Sequence, residues 1–264
     1  MKVAVCYSGQ IGALHKAHQF QRSSFLKNDM DVYAYTSDLI SQKTNKTPNH
    51  NPSSEIHTYL PAGKGWRKNQ GEYGIIYRIP YRTITKSMSL LNPNLVKAVV
   101  DKEDLEESLE DWNMTKWEWM RKRQLSKLYK CNELMKSHDE DYDIIVRTRF
   151  EFGPHVNIDI RAIFSNHADP HNTIFMFGGW NCVAPMIFMD EFVCDGFAFG
   201  SPRVMDIFCS LANKVNPYPY NPKYKDCWDK FGDNVEYQFK KHLDENNINI
   251  EYIGNKRSMY HLWR

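Results

Sequence analysis

Residues 2–7 (Lys-Val-Ala-Val-Cys-Tyr) form a short, nearly continuous apolar run, the pattern of a strand covered on both faces. Ser8-Gly9-Gln10-Ile11-Gly12 follows with two glycines, then a helical pattern from Leu14 to Leu26, then a second strand pattern from Asp31 to Thr36. Strand, tight loop, helix and strand make a β-α-β unit, the building block of a parallel sheet with a right-handed crossover. From Ser41 to Gln70 the chain turns polar and rich in Asn, Lys, Ser and Pro, which predicts a long excursion with one short strand at Ile56–Leu60. With its flank, residues 41–80 read as an insertion or lid. Residues 80–113 are mixed, and the acidic run from Asp101 to Asp111 reads as a solvated helix face.

The most regular helical pattern spans Thr115 to Ser137, where Trp117, Met120, Leu125, Leu128, Cys131, Leu134 and Met135 recur mostly at three- and four-residue spacing. Asp143-Ile-Ile-Val-Arg-Thr-Arg is then a strand that is apolar and abruptly cationic, running into Phe150-Glu151-Phe152-Gly153-Pro154. Asn172–Phe177, Asp195–Phe199 and Ile248–Ile253 are further strand patterns, and Pro202–Lys214 and Asp233–Asn246 read as helices. The alternation predicts an α/β fold, a single domain over 1–264 with a mostly parallel central sheet flanked by helices and a long polar insertion.

Composition narrows the class. At 264 residues, 42% hydrophobic and 25% charged, the chain matches ordinary globular domains and excludes disordered, collagen-like and membrane classes. A net charge of +2 gives no field that argues for a nucleic-acid partner. The apolar run at the amino end stops after Cys6, too short for a signal-peptide core, and no later stretch reaches the roughly 18 apolar residues of a membrane span. A cytoplasmic location is therefore expected. The six cysteines are scattered without a Cys-x-x-Cys pair and read as reduced core thiols. Aromatic content is high at 14%, which serves cores and also stacking on bases and sugar rings.

Ligands of open parallel sheets lie beyond the carboxyl ends of the strands, so residues just after strands are the informative ones. Ser8-Gly9-Gln10-x-Gly12 is neither the dinucleotide fingerprint nor a P-loop. It is a tight turn, or a place where a base or pyrophosphate approaches the backbone with the Gln10 amide beside it. Arg147-Thr148-Arg149-Phe150-Glu151 is a local salt-bridge cluster, or a shared site in which guanidinium forks hold diphosphate oxygens and the carboxylate holds a divalent ion. Alternation puts Arg147, Arg149 and Glu151 on one face if strand geometry persists. Gly178-Gly179-Trp180-Asn181 is a sugar shelf or a packed turn, and Glu236, beside Tyr237 and Phe239, defaults to an exposed helix face.

Four blocks, VAVCYSGQ, DVYAYTSD, RQLSKLYKCNELM…YDIIVRTRFEF and DGFAFGSPRVMDIF, together resemble GT-A type nucleotide-sugar glycosyltransferases, such as those of bacterial polysaccharide loci and of large DNA viruses that build their own capsid glycans. The resemblance implies a nucleotide-binding half over 1–150 and an acceptor half over 151–264. Ser8, Gly9 and Gln10 would line the nucleotide pocket, Thr36 and Asp38 would face the base or ribose, and Arg123 and Lys127, four apart on one helix face, would reach the phosphates with Arg147 and Arg149. Glu151 would be the metal ligand, alone, because Arg149 occupies the place of the first acid of the family's Asp-x-Asp motif. Asp195 would be the catalytic base beside the acceptor hydroxyl. The implied cofactors are a divalent cation, Mn²⁺ or Mg²⁺, and a nucleotide-diphosphate sugar. The implied partners are that sugar donor and a glycan acceptor, with the protein in the cytoplasm, the host's if viral. The expected reaction is transfer of a hexosyl or pentosyl group to a glycan hydroxyl with inversion. The alternative is a noncatalytic nucleotide- or glycan-binding module on the same fold. A nucleotidyltransferase would need more carboxylates for two metals than the strand end offers.

Overall fold

The apolar amino-terminal run becomes β1 (Val3–Ser8), which pairs in parallel with β2 (Asp31–Ser37) across α1 (Leu14–Ser24), the expected β-α-β unit. The computed structural model describes residues 1–11, 14–44, 56–61, 73–102, 116–178, 193–214, 235–254 and 260–262. The polar excursion carries three strands rather than the one expected: β3 (Leu39–Thr44), β4 (Ile56–Pro61) and β5 (Tyr73–Arg78) form an antiparallel sheet in the order β3-β5-β4. β3 reads Leu-Ile-Ser-Gln-Lys-Thr, too short and polar to show a period, and backbone pairing with β5 forms it all the same.

The mixed segment resolves into α2 (Tyr81–Met88) and β6 (Leu95–Asp101), an edge strand parallel to β2. The acidic run beyond Lys102 lies outside the described residues. The long helix α3 (Lys116–Lys136) leads to β7 (Ile144–Arg149), β8 (Phe152–Pro154), α4 (Ile160–Asn166), β9 (Thr173–Gly178) and β10 (Val193–Gly200). After these come α5 (Pro202–Ser210), α6 (Val235–Glu245), β11 (Asn249–Gly254) and β12 (Tyr260–Leu262), the last paired with β8.

The main sheet has seven strands among the described residues, ordered β11-β9-β10-β7-β1-β2-β6. β10 runs antiparallel to both of its neighbours, and every other neighbouring pair is parallel, which bears out the mostly parallel sheet. Both faces are covered, which is why β1 and β7 read as continuous apolar runs. One face buries Val5, Tyr7, Val146, Phe197 and Phe199 with Leu14 and Phe25. The other buries Ala4, Cys6, Ile145 and Ala198 against Leu128, Cys131 and Met135 of α3, and against Phe208 and Phe239 of α5 and α6.

Much of the aromatic surplus lies in this interior: Phe152 and Phe197 stack at 5.5 Å and Phe175 and Phe199 at 4.9 Å. Burying one such ring stabilises the fold by about 1.5–3 kcal/mol. Cys6, Cys131 and Cys209 are buried free thiols, as expected for core residues. The turn from β10 into α5 is tight at Gly200, where a Cβ would approach the Thr173 carbonyl oxygen to 3.1 Å. Ser201 then caps α5 by accepting from the Val204 amide, with Pro202 in its first turn. Among the described residues no helix is long and apolar enough to cross a membrane.

Candidate active site at the carboxyl edge of the sheet

Register brings the ends of β1, β2 and β7 side by side, with Ser8 opposite both Tyr35 and Arg149. Gly9 leaves β1 at φ 118, a conformation that L side chains rarely adopt, so the glycine is needed for its backbone although a Cβ there would touch nothing within 4 Å. The turn is fastened by Thr36, whose Oγ1 donates to the Gly9 carbonyl at 2.8 Å. Thr36 is fully buried, and that hydroxyl is committed to the turn rather than offered to a base. Ser8 is also buried, and its Oγ has no hydrogen-bond partner among the described residues. Gln10 follows, half-buried, and Gly12 lies outside the described residues.

Alternation along β7 sends Ile145, Arg147 and Arg149 to the α3 face. Arg147 is 1% exposed, and none of its three guanidinium nitrogens has a hydrogen-bond partner among the described residues. Leaving such a group buried and unmatched is costly, and burial lowers its pKa even with Asp195 pulling the other way. Arg149, one turn of the pleat further out, is fully engaged. Its Nε donates to Glu151 Oε1 at 2.6 Å, its Nη2 reaches the same oxygen, and its Nη1 lies 3.1 Å from Asp195 Oδ2. Burial would lower its pKa, but Glu151 and Asp195 hold it above the usual arginine value.

The same Asp195 oxygen accepts from Gln124 of α3. Burial pushes the Asp195 carboxyl up, and Arg149, Arg147 and Gln124 more than offset this, leaving it below the usual carboxylate range. Glu151 Oε2 is buried without a hydrogen-bond partner among the described residues.

Asp195 reaches this edge for two reasons. β10 runs against its neighbours, so its first residues lie where the parallel strands end. Its pairing with β9 is also irregular: Val193 faces Gly178 and Ala198 faces Met176, so five steps along β10 span only two along β9. Strict alternation from Ala198 would put Val193 and Asp195 on the phenylalanine side with Phe197 and Phe199. Instead Val193 packs in the same cluster as Ala198, and Asp195 meets Gln124 of α3. The bulge re-aims the acid.

The turn that holds Glu151 is pinned from the opposite face. Gln21 of α1 is fully buried, and its Nε2 donates to the Phe152 carbonyl at 2.7 Å, with the Phe150 and Arg149 carbonyls at 3.4 and 3.5 Å. Its Oε1 accepts from the Tyr7 hydroxyl at 3.1 Å.

A second cluster sits where β2 and β6 end beneath α3. Lys127 Nζ donates to Ser37 Oγ at 2.6 Å and is 5% exposed. Burial, aided by repulsion from Arg123, brings Lys127 down to about 7 against the pull of Asp101 and Asp38. Burial likewise lowers Arg123 to about 10, opposed by the same two carboxylates. Asp38 is tied in by its backbone, its amide donating to the Asp101 carbonyl at 3.1 Å and its carbonyl accepting from the Ile79 amide at 2.7 Å.

The residues expected to cooperate thus gather in two groups, Arg147, Arg149, Glu151 and Asp195 in one and Asp38, Arg123 and Lys127 in the other, with α3 reaching both. Asp195 joins the arginines rather than standing apart at an acceptor side. Sequence reading passed over Gln124 and Gln21. For Gln124 a signal existed, since it lies three residues before Lys127 on the same helix face. Glu236 of α6 is half-buried beside buried Tyr237 and Phe239, and the shelf residues 179–181 lie outside the described residues.

A divalent cation fits this donor set poorly. Magnesium-like and manganese-like ions want about six oxygen ligands. Here both carboxylates bind one guanidinium, through Glu151 Oε1 and Asp195 Oδ2, which leaves at most one further oxygen on each, and Arg147 adds a second positive charge. Among the described residues no three His, Cys, Asp or Glu side chains gather to hold a metal.

No protein-family model matches the chain, and no curated protein matches it. Among solved structures, the chain is similar to a nucleoside-diphosphate-sugar pyrophosphorylase from Vibrio cholerae RC9, at 11% identity over 98% of this chain and 93% of that one, TM-score 0.42. It is similar to the apo-form glycosyltransferase GlyE of Streptococcus pneumoniae TIGR4, at 10% identity over 95% of this chain and 45% of that one, TM-score 0.40. It is also similar to the galactosyltransferase LgtC in complex with donor and acceptor sugar analogs, at 8% identity over 95% of this chain and 73% of that one, TM-score 0.44. Overlap this loose assigns no activity, and the functional reading below rests on the site.

Proposed function

We propose that the chain is a glycosyltransferase that moves a hexosyl or pentosyl group from a nucleotide-diphosphate sugar to a glycan hydroxyl at this edge. One observation carries the reading: Arg147 is a buried guanidinium whose nitrogens lack hydrogen-bond partners among the described residues, beside Arg149 at the end of the central parallel strand. Such a cation is stabilised by an acceptor-rich anion, and a diphosphate presents oxygens in the geometry that guanidinium forks match.

In this reading Ser8 and the Gly9 turn let the nucleotide approach the β1 end, and Lys127 and Arg123 add positive charge from α3. The departing diphosphate needs its growing charge neutralised, and the arginines supply it from preorganised positions. Incoming phosphate oxygens compete with Asp195 for Arg149 Nη1. A released Asp195 loses the largest interaction that holds its pKa down, while burial continues to raise it. It then becomes a competent base for the acceptor hydroxyl, the group that an inverting transfer requires.

The noncatalytic alternative draws on the same pair, because an Asp195 that keeps its bond to Arg149 is a poor base. Incubation with a panel of nucleotide sugars separates the two. A transferase releases free sugar slowly even without acceptor, whereas a binding module shows only a shift in melting temperature. No release and no shift with any donor would end the reading.

A further inference from the structure

The four charged groups at the β7 end add up in a particular way. Two guanidiniums, Arg147 and Arg149, face two carboxylates, Glu151 and Asp195, and the Arg149 guanidinium lies between the two acids, bonded to both. Two acids around a divalent ion would have the same net charge of zero. A divalent ion added to the present cluster would leave it at +2 in a buried setting, anchored by at most one oxygen of each carboxylate beyond those already on Arg149. Arg149 therefore fills the space and supplies the charge that such an ion would bring.

We infer that this protein binds a nucleoside diphosphate without any divalent cation, with Arg149 as the fixed positive charge between Glu151 and Asp195 and Arg147 as its second arm. The inference rests on the diphosphate reading above and makes it more specific. A guanidinium cannot be chelated away, and it offers several N–H donors where an ion offers coordination sites. Arg149 has a donor to exchange, because its contact with Asp195 runs through Nη1 alone, while Glu151 keeps the side chain in place through Nε and Nη2. No bond is made or broken in this binding step, and it requires no co-reactant.

The test uses the wild-type chain, so folding is not at issue. Titrating uridine, guanosine and thymidine diphosphates by calorimetry, once with excess EDTA and once with excess MnCl2, should give affinities for the preferred diphosphate that agree within about twofold. In parallel, the paramagnetic resonance signal of free Mn²⁺ should remain undiminished as protein is added. A loss of about tenfold or more in EDTA, or Mn²⁺ bound by the protein with diphosphate present, overturns the inference and leaves the diphosphate reading intact. No diphosphate bound under either condition overturns both. Arg149→Lys, checked for a cooperative melt, keeps a charge but loses the fork. Its affinity should fall about tenfold and Mn²⁺ should not restore it, whereas unchanged affinity would remove Arg149 from the role.

Discussion

Arg149 Nη1 lies 3.1 Å from Asp195 Oδ2, joining the last residue of a parallel strand to an early residue of the one reversed strand. The contact ties the stability of the sheet edge to its chemistry. Asp195→Asn separates the two. Losing the carboxylate weakens a buried pair and should lower stability, on the order of 2–4 kcal/mol, since Glu151 still compensates Arg149. If the freed carboxylate is also the base, transfer per folded molecule falls by about 10²–10⁴ while diphosphate affinity holds or improves. Melting curves, donor affinity and turnover on this one variant check both parts, and full turnover in the folded fraction would confine Asp195 to holding Arg149.

Asp195 also gives an acid limb. Its folded pKa is depressed, so its contribution to stability is present above the ordinary carboxylate range and is lost as pH falls through the folded value. Denaturant unfolding between about pH 5 and pH 2 should show a loss of stability that shrinks in Asp195→Asn.

Arg147→Met should move stability and function in opposite directions. Replacing an unpartnered buried guanidinium by a similarly long apolar chain should make the empty protein more stable, by about 1–4 kcal/mol, or roughly 2–4 °C in melting temperature for each kcal/mol. Diphosphate affinity should fall at least about tenfold. A variant that melts lower and binds as before would mean that Arg147 serves the fold.

Lys127 makes an alkaline prediction. Its folded pKa is about 7, below the model-peptide value near 10.4, so between these limits the unfolded chain holds more protons and stability should rise with pH, by at most about 1.4 kcal/mol per unit. Lys127→Met should flatten that rise. Diphosphate bound nearby favours the charged form, so calorimetry at pH 8 in buffers of different ionisation heat should report proton uptake in the wild type and less in the variant. Equal heats across buffers would sink the link.

Gln21 offers a control from the far face of the sheet. Gln21→Leu leaves the Phe152 carbonyl and the Tyr7 hydroxyl without their partner, at a cost of about 2–4 kcal/mol. Because the turn it pins carries Arg149 and Glu151, diphosphate affinity should fall although Gln21 bonds only backbone carbonyls of that turn and none of its charged groups. Full affinity in the folded variant would show that the turn holds itself.

What the sequence displayed and what it hid divide along physical lines. The parallel strands announce themselves because burial on both faces demands unbroken apolar runs, as in Val3–Tyr7 and Ile144–Val146. Arg147 and Arg149 were legible because cations directly after such a run are unusual. β3, β5 and β6 were not, since an edge or a small sheet draws on backbone pairing and leaves little mark on side-chain order. Gln124 and Gln21 were hidden because a polar residue in a helix looks solvated until its partner, 71 or 131 residues away, is known. The bond from Thr36 to the Gly9 carbonyl was hidden for the same reason.

The bulge in β10 means that the length of this strand encodes chemistry as much as its composition does. Removing Gly196, between Asp195 and the regularly paired Phe197, would leave every charged side chain in the protein and shift the parity of Asp195 by one. Asp195 would then turn toward Phe197 and Phe199, away from Arg149, and Arg149 would keep Glu151 as its one acid. Aligned against this chain, a relative with one residue fewer at this point would look almost unchanged. Its two guanidiniums would nonetheless share a single carboxylate, leaving one positive charge uncompensated, and its edge would have no acid left to release.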